Sequence, residues 1–298
     1  MNVTRRGFLK LCGASAAALG LSATDLGLLE EVLANPTGPS VVWLQGAGCT
    51  GCSESFLNRI SPSAPETAAD VLIHSINLIY HPTLMATAGQ SAVEIAKQAR
   101  TAGGYILAVE GGVPTKFSGN ACRAWSDNGK DVTFQQVVLD YSASAAKILC
   151  IGTCASWGGM AAASPNPTGV KGIKALTGKT TVNIAGCPPH PDWMVWAIAQ
   201  LLLGKSIALD SYGRPKALFS RTVHDQCPRH EAEEASTFGQ DRLCLEELGC
   251  RGPDTLANCP VHLWNNGANW CCDANALCIG CTHPQFPFAQ IASQEESD

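Results

Sequence analysis

Three glycine-rich segments of the chain each place cysteine directly after an apolar run. Their sequences are GAGCTGCSES (Gly46–Ser55), GTCASWGG (Gly152–Gly159) and GCPPHP (Gly186–Pro191). They contribute four thiols, from Cys49, Cys52, Cys154 and Cys187. Four thiolates suit a [4Fe–4S] cluster, and the glycines let main-chain N–H groups approach its sulfurs. A C-x-x-C pair by itself is also found in thioredoxin-like redox sites and in structural zinc sites.

Two further sets of metal-ligand residues lie in the last quarter of the chain. One set joins an imidazole to three thiols: His224, Cys227, Cys244 and Cys250. Its chemistry suits zinc and a cluster with a histidine corner equally well. The other set contains Cys259, Cys271, Cys278 and Cys281, with Cys272 beside it. Zinc is again the alternative to iron and sulfide. A chain that binds more than one iron–sulfur cluster would be expected to transfer electrons between them.

The segments between the first cysteines alternate short apolar runs with helical patterns. The predicted strands are Val41–Gln45, Val71–Ile79, Tyr105–Glu110, Ile148–Ile151 and Val182–Ala185. The predicted helices include Gln90–Arg100 and Asp192–Leu203. This alternation predicts an α/β fold with an open, flavodoxin-like parallel sheet. Sites in such sheets form beyond the carboxyl ends of the strands, so we expect Cys49, Cys52, Cys154 and Cys187 to converge at that edge. Their convergence favours an iron–sulfur cluster over the other uses of a C-x-x-C pair.

The strand–helix pattern fades near residue 209, where His, Cys, Gly and Pro become frequent. We therefore predict a flavodoxin-like domain over residues 35–208 with the first cysteine set. Residues 209–298 are predicted to form a smaller, irregular iron–sulfur domain held by metal ligands more than by a continuous core. With 298 residues the chain is long enough for two domains. A net charge of −5 and the lack of a long basic run argue against a nucleic-acid partner.

The first 34 residues have the pattern of an export signal. Arg5 and Arg6 precede an apolar stretch that ends near Leu21, which predicts a twin-arginine signal peptide over residues 1–34, cleaved after Ala34. The stretch is short for a membrane anchor, and we predict no transmembrane segment elsewhere. Exported proteins commonly contain disulfides. The signal, however, resembles that of a pathway for proteins already folded around their cofactors, which weakens a disulfide interpretation of the fifteen cysteines.

The motifs above, together with HDQC, LCLEELGCRGP, NCP and CIGC, occur in the order seen in small subunits of nickel–iron hydrogenases. The resemblance covers essentially the whole chain. It implies a flavodoxin-like domain followed by a cluster-binding C-terminal domain. It also implies that the first set binds a proximal [4Fe–4S] cluster and the histidine-containing set a distal [4Fe–4S] cluster. The ligands that it implies for a medial cluster are Cys259, Cys278 and Cys281.

One position departs from the pattern of most of the family. There, the tryptophan that matches Trp270 is followed by proline, and the medial cluster is [3Fe–4S]. Here Cys271 follows Trp270, seven residues before Cys278. A fourth thiolate can hold a fourth iron, so we predict a medial [4Fe–4S] cluster, as in the nickel–iron–selenium branch. The alternative is a conventional nickel–iron small subunit with a [3Fe–4S] medial cluster. Cys272 competes with Cys271 for the role of ligand.

The resemblance implies the electron-transferring small subunit of a heterodimeric periplasmic hydrogenase, which interconverts H₂ with two protons and two electrons. The nickel–iron(–selenium) site would lie on the large subunit, and a periplasmic multihaem cytochrome c would accept the electrons. Glu54 stands where the family has an acid near the subunit junction. It is a candidate proton relay, and a solvated or salt-bridged carboxylate is the alternative.

Two other classes of protein stay open at this point. A quinone-reducing respiratory subunit resembles the N-terminal half, but it would lack the export signal and the second and third cysteine sets. A secreted binding protein stabilised by zinc or disulfides would have no redox task. Cys150 lies within an apolar strand and is predicted to be a small core residue. Cys122 and Cys272 have no predicted role.

Overall fold

The computed structural model describes residues 40–61, 66–74, 76–240 and 242–288. The predicted signal peptide lies outside these ranges and stays a prediction. In chain order the strands are β1 (Ser40–Gln45), β2 (Asn77–Tyr80), β3 (Ile106–Glu110), β4 (Val113–Pro114), β5 (Arg123–Asp127), β6 (Lys130–Thr133), β7 (Lys147–Ile151), β8 (Val170–Lys171) and β9 (Val182–Ile184). The α-helices are α1 (Gly51–Leu57), α2 (Ala68–His74), α3 (Gly89–Ala102), α4 (Phe134–Ser144), α5 (Gly152–Trp157), α6 (Ile173–Thr177), α7 (Pro191–Leu202) and α8 (Cys259–His262).

Five strands form one parallel sheet in the order β2-β1-β3-β7-β9. Numbered within the sheet this is 2-1-3-4-5, the order of flavodoxin-like folds, which confirms the predicted fold class. The pairing of β3 with its neighbours β1 and β7 has no register shift: Val42 pairs with Leu107, and Ile106 pairs with Lys147. In such an order the topological switch point lies between β1 and β3, and the segments that follow these strands border it.

Both faces of the sheet are covered by apolar layers, because successive strand residues point to opposite sides. Val41, Trp43, Ile106 and Ala108 belong to one buried cluster, and Val42, Leu44, Leu107 and Val109 belong to the other. Cys150 is fully buried in the second cluster, as a core residue would be. Strands buried on both sides explain the near-continuous apolar runs in the sequence.

One predicted strand is wrong in its first half. Val71 lies in α2, and strand β2 begins only at Asn77. The helix start is fixed by a capping box, in which the Thr67 hydroxyl accepts from the Asp70 N–H (3.3 Å) and the Asp70 carboxylate accepts from the Thr67 N–H (2.9 Å). Hydrophobicity alone could not separate a helix and a strand that follow each other so closely.

The C-terminal residues up to 288 are largely irregular, as predicted, yet they share a core with the sheet. Phe219, Val223, Ala257 and Trp270 lie in the same buried cluster as Trp43 of β1. Apolar packing therefore holds this segment against one face of the sheet, which the prediction of a ligand-held domain did not include. The domain boundary at residue 209 stays a prediction. Among the described helices, none combines the length and apolar character needed to cross a bilayer.

Candidate metal centres

The structure brings the first four cysteines together at the carboxyl edge of the sheet. Cys49 and Cys52 follow β1, while Cys154 lies in α5 after β7. Burial raises the pKa of the Cys52 thiol well above its ordinary value. Negative charge on four neighbours raises it further, and these are Glu110, Cys154, Cys187 and Cys49. Such mutual influence requires proximity, so the predicted convergence is present in the fold.

Two glycines make room for the sulfurs of this set. Gly152 has a φ of +85°, and a Cβ there would lie 2.5 Å from the Cys52 sulfur. A Cβ on Gly159 would lie 2.9 Å from the Cys154 sulfur. Any other residue at these positions would have to displace a thiol. The glycine-rich sequence therefore reflects close packing of backbone against sulfur.

Thr153 connects this edge of the sheet to the C-terminal segment. Its hydroxyl accepts from the Gly186 N–H (3.0 Å), and its own N–H donates to the Gly186 carbonyl (2.9 Å). The same hydroxyl donates to the carbonyl of Cys281. The loops after β7 and β9 are thus fixed to each other and to a cysteine of the third set.

The third set surrounds a cavity of about 370 Å³. Its sulfur-bearing lining residues are Cys187, Cys259, Cys271, Cys278 and Cys281. Burial raises the pKa of Cys259 and of Cys278 to about 12. Because a metal binds the thiolate, loading this site must release protons. The presence of Cys187 in the lining shows that the first and third sets adjoin.

A direct contact joins these two sets. The backbone N–H of Cys187 donates to the sulfur of Cys281 and lowers the pKa of that thiol. The larger effects, burial and the charge of Cys259, raise the same pKa. Residues that the sequence assigns to two different centres therefore lie within hydrogen-bond reach.

The second set lies around a narrow cavity of about 10 Å³, and it has a fifth member. The polar lining includes His224, Cys227, Cys244, Cys250 and Cys272. The Cys272 thiol hydrogen-bonds to Cys227 and Cys250, and this contact lowers the pKa of both. Cys272 is 3% exposed. Cys271 and Cys272 are consecutive, yet Cys271 lines the cavity of the third set and Cys272 that of the second. The sequence did not indicate this division.

Arg229 is a second residue of this site that the sequence did not reveal. Its side chain is buried, and its guanidinium donates to the Cys272 carbonyl and to Asn275 Oδ1 (3.0 Å). Its backbone N–H donates to the Cys227 sulfur (3.4 Å). On the other side, the Nε2 atom of His224 lies 3.7 Å from Glu246 Oε2. The available signal was an arginine two residues after Cys227, a predicted ligand.

Glu110, at the end of β3, is buried beside the first set. Trp43 Nε1 (3.0 Å), Gln45 Nε2 (3.1 Å) and the Ser53 N–H (3.1 Å) all donate to its carboxylate, as does the Ser53 hydroxyl. The carboxylate thus accepts from four donors within the buried edge of the sheet. Ser53 also contacts His81, whose burial lowers its pKa to about 4.

Glu54 is exposed and lines a cleft of about 500 Å³ together with His190, Asp192 and His262. Both ring nitrogens of His190 are engaged, since Nδ1 accepts from the Asp192 N–H (3.1 Å) and Nε2 bonds the Leu263 carbonyl (2.8 Å). The Asp192 carboxylate accepts from Arg59 (2.8 Å). These bonds fix the start of α7 and leave His190 no free nitrogen for a metal.

The donor chemistry of the three sets fits iron–sulfur clusters. Every cysteine in the described ranges is a free thiol. The buried indole Nε1 of Trp270, which lines the cavities of the second and third sets, has no hydrogen-bond partner among the described groups, and a cluster sulfide would satisfy it. At the narrow second site a cluster would require the side chains to spread apart.

Two family models match successive parts of the chain. Residues 49–201 match the family described as NADH ubiquinone oxidoreductase, 20 Kd subunit, and residues 219–292 match the C-terminal family of the NiFe/NiFeSe hydrogenase small subunit. The chain is 37% identical to the periplasmic [NiFeSe] hydrogenase small subunit of Desulfomicrobium baculatum, over 96% of this chain and 97% of the relative. It is 39% identical to the periplasmic [NiFe] hydrogenase small subunit of Solidesulfovibrio fructosivorans, over 95% of this chain and 90% of the relative.

Solved structures show the same relationship. A [NiFeSe]-hydrogenase structure from Dm. baculatum aligns with a TM-score of 0.78 at 37% identity, over 84% of this chain and 96% of that one. The recombinant [NiFeSe] hydrogenase from Desulfovibrio vulgaris Hildenborough also aligns with a TM-score of 0.78, at 38% identity over 86% and 96% of the two chains. Fold and site thus define an iron–sulfur subunit of an oxidoreductase. The chain belongs to the small-subunit family of NiFe and NiFeSe hydrogenases. Members of this family transfer electrons and pair with a large subunit that has the catalytic site.

Proposed function

We propose that the chain conducts electrons one at a time between the nickel–iron(–selenium) site of its large subunit and an external acceptor, through three [4Fe–4S] clusters. The complex catalyses H₂ ⇌ 2 H⁺ + 2 e⁻, and this chain supplies no ligand to the hydrogen-activating metals. The proximal ligands are Cys49, Cys52, Cys154 and Cys187. The medial ligands are Cys259, Cys271, Cys278 and Cys281. The distal ligands are His224, Cys227, Cys244 and Cys250.

The continuity of the three sets is the observation that carries this proposal. The Cys187 N–H reaches the Cys281 sulfur, which links the proximal and medial sets. The consecutive residues Cys271 and Cys272 line the medial and distal cavities. Electron tunnelling weakens steeply with distance, so centres joined by one hydrogen bond or one peptide suit a relay. A set of separate zinc or structural sites would have no need of such contacts.

The protein groups around each set would tune the direction of electron flow. Glu110 adds a negative charge beside Cys52 at the proximal set. At the distal set, a neutral imidazole replaces one thiolate and the buried Arg229 donates to Cys227. Lower net negative charge and more hydrogen bonds to sulfur raise the potential of a cluster. Electrons from hydrogen would therefore be drawn from the proximal towards the distal end.

The lining of the medial cavity supports Cys271 as the fourth medial ligand. Cys271 shares that cavity with the other three thiols, whereas Cys272 contacts the distal set. A fourth thiolate at this position favours the nickel–iron–selenium branch over a conventional subunit with a [3Fe–4S] medial cluster. Two of the relatives by structure are [NiFeSe] hydrogenases, which is consistent with this assignment.

The acceptor that we propose is a periplasmic multihaem cytochrome c with a basic docking surface. The distal set is flanked by exposed carboxylates, including Glu233, Glu234 and Glu246. The Glu233 carbonyl accepts from the Cys244 N–H (2.9 Å), so these acids stand close to a distal ligand. Complementary charge would steer a basic carrier to this end of the relay. Export by the twin-arginine route agrees with relatives named as periplasmic.

We also propose that Glu54 relays protons at the junction with the large subunit. Its exposed carboxylate lines a cleft of about 500 Å³, beside His262 and Asp192. The cleft would bring it within reach of a partner surface.

Iron and acid-labile sulfide analysis of the anaerobically purified heterodimer tests the proposal. Three four-iron clusters give about twelve irons with matching sulfide per small subunit, and a three-iron medial cluster gives about eleven. Addition of H₂ should bleach the cluster absorption in full, because every centre lies on the relay. Zinc without sulfide would exclude the relay, and so would clusters that H₂ cannot reduce.

A further inference from the structure

The indole of Trp270 is buried in the wall of the third-set cavity, and its Nε1–H has no hydrogen-bond partner among the described groups. We propose that this N–H donates a hydrogen bond to a sulfur of the medial cluster and thereby raises the reduction potential of that cluster. The inference rests on the proposed function, because it requires a cluster in the cavity of the third set. It gives a redox role to a side chain that supplies no ligand.

Packing and a backbone hydrogen bond fix the position of the Trp270 ring. The residue is 3% exposed and lies in one apolar cluster with Val223 and Ala257, which line the same cavity. The Trp270 carbonyl accepts from the Ala274 N–H (3.1 Å), which closes the turn that also contains Cys271. The indole and the adjacent thiol therefore border the same space of about 370 Å³. A ring held in this way remains in the cavity wall when a cluster is bound.

The other polar groups of the cavity lining do not serve as acceptors for this N–H. The hydroxyls of Thr255 and Thr282 each donate to a backbone carbonyl, and the Asn269 Oδ1 atom accepts from Asn265 Nδ2 (2.9 Å). A buried indole N–H normally has a partner, because an unmade hydrogen bond in the protein interior costs free energy. The cavity therefore lacks an acceptor, and the sulfurs of a cluster would supply one.

Trp270 borders two of the three sets, and the medial set is the better candidate for the acceptor. The third-set cavity measures about 370 Å³, whereas the second-set cavity, which Trp270 also lines, measures about 10 Å³. Only the larger cavity offers room for an acceptor beside the ring without movement of its lining. An indole nitrogen is a donor only, so the direction of the hydrogen bond is fixed by its chemistry.

A hydrogen bond from Trp270 would act on the medial potential in one direction. Reduction adds an electron to the cluster and makes its sulfurs better acceptors, so the bond stabilises the reduced state more than the oxidised state. We expect the loss of this bond to shift the reduction equilibrium of the medial cluster by about three- to tenfold. This change corresponds to about 28–59 mV for a one-electron couple.

The first test is an EPR-monitored redox titration of the purified heterodimer that contains Trp270→Phe. Phenylalanine keeps an aromatic ring in the cavity wall and removes the N–H. The matched control is Trp193→Phe, because the Trp193 indole N–H is likewise buried without a partner but lines neither cavity. Cys271→Ala identifies the medial signal, since we expect a three-iron signal to replace it.

The second test uses tryptophan labelled with ¹⁵N at the indole nitrogen. A hydrogen bond to a paramagnetic cluster transfers spin density to the donor, so pulsed EPR should detect ¹⁵N coupling at the medial signal. Trp264 also lines this cavity. The coupling is therefore assigned by its survival in Trp264→Phe and its loss in Trp270→Phe. The spectrum of Trp264→Phe decides the question even if Trp270→Phe fails to assemble.

We expect Trp270→Phe to lower the medial potential by about three- to tenfold in equilibrium terms and Trp193→Phe to leave it unchanged. An unchanged medial potential in Trp270→Phe with about twelve irons would overturn the inference alone. A shift confined to the distal signal, or the absence of indole coupling in Trp264→Phe, would also overturn it. An iron content far below about twelve in the wild type would instead overturn the proposed function.

Discussion

The backbone N–H of Cys187 donates to the sulfur of Cys281, across the boundary between the sheet and the C-terminal segment. The two cysteines are 94 positions apart in the chain. The contact forms because the loop after β9 carries Cys187 to the edge of the sheet against which the C-terminal segment packs. A hydrogen bond would thus connect the proposed proximal and medial centres, and the spacing of cysteines in the sequence does not predict it.

Substitution of Cys271 should convert the medial cluster. In Cys271→Ala the fourth thiolate of the medial cavity is lost, so we expect about eleven irons per small subunit and the EPR signal of an oxidised three-iron cluster. Cys272→Ala serves as the neighbouring control and should keep about twelve irons. An unchanged iron content in Cys271→Ala, with loss of iron in the control, would reverse the assignment of the two residues.

Removing the charge of Glu110 should raise the potential of the proximal cluster. The carboxylate accepts four hydrogen bonds next to Cys52, and its negative charge disfavours the addition of an electron there. Glu110→Gln keeps the shape and removes the charge. A redox titration of the proximal signal checks this, with Glu94→Gln, at a partly exposed residue of α3, as the control. A proximal potential that falls or stays constant would contradict the electrostatic role.

The Thr153 hydroxyl should contribute measurably to stability. It accepts from the Gly186 N–H and donates to the Cys281 carbonyl, and its side chain is buried. Thr153→Val leaves both partners unsatisfied, which should lower the free energy of unfolding by about 1–3 kcal/mol in urea titrations. Thr153→Ser keeps the hydroxyl and should lose much less. An unchanged free energy of unfolding in Thr153→Val would contradict the role of the hydroxyl.

The order in which thiols of the metal-free subunit react should follow their acidity. Hydrogen bonds from Cys272 lower the pKa of Cys250 and Cys227, whereas burial raises that of Cys259 and Cys278 to about 12. The thiolate is the nucleophile, so alkylation near pH 8 should modify the distal pair first. Raising the pH should accelerate the medial pair up to about pH 12, long after the distal rates level off. Mass spectrometry of timed samples reads out both, and Cys272→Ala should remove the distal advantage.

The sequence predicted the sheet and the convergence of Cys49, Cys52, Cys154 and Cys187, because both follow from strand order and from where parallel strands end. It did not predict α2, because the apolar run after the capping box of Thr67 and Asp70 is equally compatible with a buried strand. It preferred Cys271 to Cys272 as the fourth medial ligand, but it did not predict that Cys272 lies beside the second set, because the directions of adjacent side chains in an irregular turn depend on the tertiary fold. Arg229 was missed for the same reason, since its burial depends on contacts with distant residues.

The apolar cluster that Trp43 shares with Phe219 and Trp270 has a consequence for any attempt to divide this protein. A shortened chain that stops near residue 208 would expose the apolar face of the sheet to water and would be prone to aggregate. The remaining C-terminal segment would lack the sheet against which it packs. The proposed proximal and distal clusters would consequently have to be inserted into a single folding unit, in whichever order they are loaded.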